Sequence, residues 1–236
     1  VNERTHLDLF SGIGGFALAA QWNGIRTVGF CEREPYCKQL LSERWPGVPI
    51  CGDICQLDGR LYRGVWLLTG GFPCQPFSFA GKRLGAEDDR AIWPEMLRVI
   101  NQARPTWVLG ENVPGIINVE LDRVLSDLER IGYPSRTFVV PACAVDAHHR
   151  RDRVWIVAHT SGSGLQERNL ATITSGEGHA AWRNAEGRAV WEPEPAMGRV
   201  AHGIPHRAHR LRGLGNAIVP QVAAEFIRFM IKSESP

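Results

Sequence analysis

Thr5-His6-Leu7-Asp8-Leu9-Phe10-Ser11-Gly12-Ile13-Gly14-Gly15-Phe16 runs from a short apolar strand pattern through three glycines into a second apolar run, and this passage decides the fold. Thr5 to Leu9 reads as a buried strand. Phe16 to Trp22 carries apolar residues at three- and four-residue spacing, as a helix packed on one sheet face does. Glycines at a strand-to-helix turn let backbone amides approach a ligand, because no side chain stands between them. Outward from this turn the alternation repeats. Strands are expected at Thr27 to Cys31, Pro49 to Cys51, Val65 to Thr69, Trp107 to Glu111, Arg136 to Val140 and Arg153 to Ala158. Helices are expected at Tyr36 to Trp45, Trp93 to Ala103 and Leu121 to Ile131. That is an α/β pattern with a mostly parallel sheet flanked by helices.

From Thr160 to about Arg212 no period is sustained, and Gly, Ser, Thr, Arg and His dominate, which reads as a small loop-rich region. Regularity returns at Asn216 to Ile231, where Val219, Val222, Phe226 and Met230 repeat at helical spacing around Pro220, a residue suited to a first turn. Three parts follow: residues 1–159 as the main domain, 160–212 as the loop-rich region, and 213–236 as a helix returning to the domain.

A chain of 236 residues with 44% hydrophobic and 22% charged residues suffices for one such domain and an appendage. The net charge of +2 neither demands nor excludes nucleic acid. Its distribution says more. Between Glu194 and Glu225 no carboxylate occurs, while Arg199, Arg207, Arg210 and Arg212 stand there with His202, His206 and His209. Such a field suits a phosphate backbone, and it equally describes a solvated basic loop. The cysteines Cys31, Cys37, Cys51, Cys55, Cys74 and Cys143 show no paired C-x-x-C spacing and follow no signal peptide, so a reducing, cytoplasmic setting is expected. Gly203 and Pro205 interrupt the histidine cluster, and no metal site is expected. No apolar run approaches membrane-spanning length, so no membrane partner is expected.

Chemistry concentrates in Gly70-Gly71-Phe72-Pro73-Cys74-Gln75-Pro76-Phe77-Ser78, just beyond an expected strand. Pro73 and Pro76 remove backbone donors and fix φ, so the segment leaves the strand and presents Cys74 on a turn where a thiolate can reach a substrate. A buried apolar cysteine beside a rigid turn is the plainer reading of a Pro-Cys pair. Glu32 ends the second strand about twenty residues beyond the glycines, where doubly wound folds hold a ribose, and Asp53 with Ile54 follows the third. Glycine-rich turns serve nicotinamide cofactors, flavins, S-adenosylmethionine and plain packing alike.

Taken in order, Phe10 to Phe16, Glu32, Asp53, Pro73-Cys74-Gln75, Glu111-Asn112-Val113, Arg151-Asp152-Arg153 and Gly215-Asn216-Ala217 resemble the motifs of the cytosine-5 DNA methyltransferases. The resemblance implies a Rossmann-like S-adenosylmethionine-dependent methyltransferase fold. It implies an enzyme, a DNA (cytosine-5-)-methyltransferase acting on double-stranded DNA, with Cys74 adding to carbon 6 of a flipped-out cytosine. Glu111 would hold the ring nitrogen and amine, while Arg151 and Arg153, alternating along one strand face, would contact the base carbonyl and hold that carboxylate. Phe10, Ser11, Gly12, Gly14, Gly15, Phe16, Glu32, Asp53, Ile54, Pro73 and Asn216 would bind S-adenosylmethionine, and Gln75, Ser78 and Asn112 the nucleotide. Residues 160–212 would choose the target, and Phe77 to Asp89, with Lys82 and Arg83, would close over nucleic acid. His149 stands where the family usually has glutamine, and Arg33 where many relatives have an aromatic residue. A monomer of bacterial, archaeal or phage origin is expected, with restriction-linked modification among the settings that fit. RNA cytosine methylation, a non-catalytic nucleic-acid-binding relative and a nicotinamide oxidoreductase are the alternatives.

Overall fold

The structure, a computed structural model, describes residues 3–73, 92–160 and 214–234. One sheet contains β1 (Thr5–Leu9), β2 (Arg26–Cys31), β3 (Ile50–Cys51), β4 (Leu67–Gly70), β5 (Trp107–Asn112), β6 (Ser135–Val140) and β7 (Arg153–His159). Their order is β3-β2-β1-β4-β5-β7-β6. β1 to β5 pair in parallel, and β7 runs antiparallel between β5 and β6. The chain moves outward from β1 to β3 and then crosses back to β4 on the other side of β1. In open α/β sheets that reversal opens a crevice beyond the strands' carboxyl ends, which is where ligands bind.

The helices are α1 (Gly15–Trp22), α2 (Pro35–Arg44), α3 (Ile92–Ala103), α4 (Ile116–Val119), α5 (Leu121–Arg130) and α6 (Pro220–Ser233). Strand pleating sends alternate side chains to opposite faces, and both faces are covered. On one face Leu7, Leu9, Leu68 and Val108 meet Met96, Ile100, Val124 and Leu128 of α3 and α5. On the other Leu67, Leu109, Trp107 and Trp155 meet Phe16 and Ala20 of α1 and Ala223, Phe226 and Ile227 of α6. Beyond α6, the Glu234 carboxylate accepts hydrogen bonds from Trp107 Nε1 at 2.8 Å and Trp66 Nε1 at 2.9 Å, and pairs with Arg4 at 3.3 Å. One carboxylate thereby pins the helix end to the sheet.

The mostly parallel sheet, its flanking helices and their positions agree with the expected pattern. Differences lie at element ends and in the short helix α4, which is not among the expected helices. α6 begins at Pro220 rather than Asn216, because a residue before proline is pushed out of the helical region, and Val219 is extended at φ −89, ψ 103. β4 begins at Leu67 rather than Val65, since the Val65 N–H donates back to Tyr62 C=O in the turn that follows the 3-10 helix Gly59–Tyr62. Leu214–Ser233 matches a membrane span by length and composition alone, but the extended Val219 interrupts it and leaves a helix of 14 residues. Its residues Val222, Ala223, Phe226, Ile227 and Met230 are buried within the fold, as a core helix requires. The expected loop-rich region and the stretch from Cys74 to Asp89 lie outside the described residues.

Candidate active site

The glycine-rich turn leaves β1 through left-handed backbone at Phe10 (φ 53), Gly12 (φ 54) and Gly14 (φ 86). Phe10 is the unusual member, because a side chain costs free energy in that region. Two bonds hold the turn: Ser11 Oγ donates to Asp8 C=O at 2.8 Å, and Ser11 N–H to Cys31 C=O at 3.1 Å. Gly14 and Gly15 are required by close approach. A Cβ at Gly14 would lie 2.5 Å from the Trp45 ring, and one at Gly15 would lie 2.7 Å from Ile218 Cγ1. The concavity that results is lined by Phe10, Ser11, Gly12, Phe16, Asn216 and Ala217.

Glu32 stands just beyond β2 with both oxygens anchored. Gly12 N–H donates to Oε2 and Glu34 N–H to Oε1, each at 2.7 Å. Asp53 caps its own 3-10 turn, accepting from Cys55 N–H at 2.9 Å and Gln56 Nε2 at 3.3 Å. Ile54 is buried in the same turn. That turn is braced from α3, where Arg98 donates to Ile54 C=O at 2.7 Å and Leu57 C=O at 2.9 Å. Pro73 is exposed at the last described position before Cys74.

Glu111 is the next-to-last residue of β5, 8% exposed, and pairs with Arg153 Nε at 2.9 Å. Burial pushes its carboxyl above the usual range, and the charges of Arg153 and Arg151 oppose that shift. Gly71 lies against it: a Cβ there would come within 3.4 Å of Glu111 Oε2. Asn112 binds backbone instead of facing outward, donating to Phe72 C=O at 2.8 Å and accepting from Val113 N–H at 2.9 Å. It thereby fixes the residues that lead to Cys74.

Arg151 departs from the expected alternation. It precedes β7 and takes left-handed φ 39, and its guanidinium donates to Gly215 C=O at 2.8 Å and Ala217 C=O at 2.7 Å, while staying near enough to Arg153 and Glu111 for their charges to act on it. Cys74, Gln75 and Ser78 lie outside the described residues. Among the described cysteines, burial pushes the Cys31 thiol up and the Cys37 thiol to about 11, the opposite of an activated nucleophile.

Sequence reasoning missed a buried polar chain under the turn. Thr69 Oγ1 donates to Asp8 Oδ1 at 2.8 Å, His6 Nε2 meets Thr69 Oγ1 at 2.8 Å, and His6 Nδ1 meets Thr27 Oγ1 at 3.0 Å. The Thr69 hydroxyl has one proton, given to Asp8, so it accepts from His6 Nε2–H. Nδ1 then accepts from Thr27. Burial lowers His6 to about 3 and raises Asp8 to about 8, against the Thr69 hydrogen bond. Asp8 Oδ2 has no hydrogen-bond partner among the described residues, which suits a neutral acid. The available signal was that His6 and Asp8 alternate with Leu7 and Leu9 in a strand whose neighbours are parallel and therefore covered on both faces.

Comparison with known proteins places this geometry among relatives. The chain is 38% identical over 165 residues to Type II methyltransferase M.Eco47II of Escherichia coli, covering 66% of this chain and 40% of that protein. It is 33% identical over 159 residues to Type II methyltransferase M.NgoMIV of Neisseria gonorrhoeae, covering 65% and 51%. It thus spans about half or less of these relatives' length. Among solved structures, a Spodoptera frugiperda DNMT2 mutant shares the fold with TM-score 0.60 at 22% identity, covering 67% of this chain and 50% of that one. S. pombe Dnmt2 methyltransferase does so with TM-score 0.60 at 20% identity, covering 79% and 58%. The sequence pattern of C-5 cytosine-specific DNA methylases matches residues 5–189, well over half of the chain, and the protein belongs to that family.

Proposed function

We propose that this chain carries out methyl transfer from S-adenosylmethionine to carbon 5 of a cytosine extruded from double-stranded DNA. The observation that carries the reading is the buried Glu111–Arg153 pair, set against Gly71 and beside a glycine-rich concavity at the sheet's switch point. The donor set fits the cofactor. Glu32 is held rigidly by two amides and keeps outward lone pairs for vicinal hydroxyls, while Ser11, Gly12, Phe16 and Asn216 supply polar and aromatic walls. Asp53 and Ile54 extend that site to the third strand, with Pro73 at its edge. When bound, the cofactor supplies an electron-poor methyl on a sulfonium.

Carbon 5 of cytosine is too weak a nucleophile unless carbon 6 first receives an electron pair. Cys74 supplies it as a thiolate: a carbon–sulfur bond forms, the 5,6 double bond opens, and negative character reaches carbon 5 and the ring nitrogen. Glu111 meets that nitrogen. Its carboxyl, raised by burial, holds a proton more readily than an exposed glutamate and shares it where charge develops. Arg153 fixes the carboxylate's direction. Carbon 5 then takes the methyl from the sulfonium, leaving a neutral thioether; the carbon 5 proton leaves to solvent, and the thiolate of Cys74 is expelled as the 5,6 double bond re-forms, a step that fluorine at carbon 5 blocks. A base inside a duplex cannot reach this pocket, so extrusion is part of the proposal, with Gln75 and Ser78 meeting the displaced nucleotide. Residues 160–212, with their carboxylate-free basic stretch, are proposed to read the target. The Type II names of the relatives support a modification role.

The test is a covalent trap. Duplexes of varied sequence bearing 5-fluorocytosine, incubated with the protein and S-adenosylmethionine, should yield a denaturation-resistant adduct that Cys74→Ser abolishes without loss of folding. Absence of adduct across the set, or turnover by Cys74→Ser, would overturn the reading.

A further inference from the structure

The segment around Asn216 forms one wall of the concavity, yet it enters the described fold only at residue 214, after the long stretch 161–213. Its placement needs local anchors. One is packing, with Ile218 seated against Gly15 so closely that a Cβ there would collide. Another is electrostatic. Arg151 Nη2 donates to the carbonyls of Gly215 and Ala217, at 2.8 and 2.7 Å, the residues immediately before and after Asn216. Fixing the carbonyl on each side of one residue fixes the direction in which its side chain leaves the backbone. Charge-assisted bonds make that hold stronger than neutral ones would.

We infer that Arg151 is a positioning residue for cofactor binding, holding Asn216 in the wall of the pocket, whereas Arg153 serves the base-binding half through Glu111. The two guanidiniums stay within reach of each other's charge, yet their partners differ: Arg151 donates to Gly215 and Ala217 beside the pocket, and Arg153 pairs with Glu111. The inference rests on the reading of this pocket as an S-adenosylmethionine site.

Binding of S-adenosylhomocysteine, measured by calorimetry on the full chain, tests it. Arg151→Met and Asn216→Ala should each weaken binding about tenfold or more, the scale of losing charge-assisted hydrogen bonds. Their combination should be no weaker than the worse single variant, because both remove the same wall. Both bonds leave one nitrogen, so a lysine ammonium can make them, and Arg151→Lys should recover most of the affinity. A merely structural arginine would give additive losses with Asn216→Ala, and that result, or unchanged affinity in Arg151→Met, overturns the inference. If Arg151→Met does not fold, Arg151→Gln, whose neutral amide is shorter and cannot hold both carbonyls, combined with Asn216→Ala carries the same additivity test. Failure of the unmutated chain to bind S-adenosylhomocysteine would refute the underlying reading and this inference with it.

Discussion

Replacing Arg153 by Met removes the cation from Glu111 while keeping much of the side-chain volume. The two charged atoms are 2.9 Å apart, and the side chains are only 18% and 11% exposed. At an effective dielectric of about 20 their attraction is about 6 kcal/mol, an upper bound before desolvation is subtracted. Breaking one side of such a pair costs about 3–5 kcal/mol, since a carboxylate remains buried without its partner. Arg153→Met should therefore lose about 3 kcal/mol in urea unfolding followed by tryptophan fluorescence. Arg153→Met with Glu111→Gln leaves neither charge stranded and should recover at least about 2 kcal/mol of the summed single losses. The deficit should also depend on pH. Glu111 is already raised by burial, and losing Arg153 raises it further, so the native state keeps a proton that the unfolded chain releases. Stability then falls as pH climbs from the ordinary carboxylate range toward the raised value, making the deficit larger at pH 8 than at pH 5. Additivity of the two substitutions within about 0.5 kcal/mol, or a deficit flat in pH, would refute the pairing argument.

Three further substitutions probe other parts of the fold. Glu32→Ala should weaken S-adenosylhomocysteine binding by about 1.5–3 kcal/mol, roughly tenfold to 150-fold, because it removes the hydroxyl acceptor and frees the Gly12 and Glu34 amides; unchanged affinity in titration would exclude the ribose role. Glu234→Ala leaves the indole N–H groups of Trp107, 1% exposed, and Trp66, 9% exposed, without their acceptor, and should lower the melting temperature by roughly 4–16 °C for a loss of about 2–4 kcal/mol. A shift under 2 °C in scanning fluorimetry would show that the clamp contributes nothing. Asp8, raised to about 8 from an unfolded value near 3.8, favours folding fully below that lower value and loses the contribution as pH rises through the higher one. Asp8→Asn lacks this slope, so it should gain on the unmutated protein between pH 6.5 and 8, above the range where His6, lowered to about 3, changes stability; parallel urea midpoints across that interval would sink the assignment.

Period and punctuation made most of the architecture legible. Thr5–Leu9 matches β1 at both ends, because Leu7 and Leu9 are buried and Phe10 breaks the strand with left-handed backbone. The glycine turn and Glu32 come together as their spacing implied, through a bond from Gly12 N–H that no composition reveals. What escaped the sequence is what depends on tertiary direction. A single positive φ at Arg151 undid the two-residue alternation. Asn112 has the right neighbours for a substrate contact, yet its amide meets backbone on both sides. His6 and Asp8 are polar residues that would normally mark a solvent face, yet both are fully buried, meeting Thr27 and Thr69 of the neighbouring strands on a face that helices cover.

The clamp on Glu234 bears on how this fold can vary. β7 ends at His159 within the sheet, where the Thr160 N–H still reaches Thr106 C=O at 3.2 Å, and α6 is locked at its far end by two indoles. The described residues next to 161–213 are held on both sides, Thr160 by Thr106 and Gly215 and Ala217 by Arg151. If residues 160–212 read the target as proposed, their exchange leaves the anchored sheet and helices of the described fold in place, and target preference changes by grafting rather than by redesign.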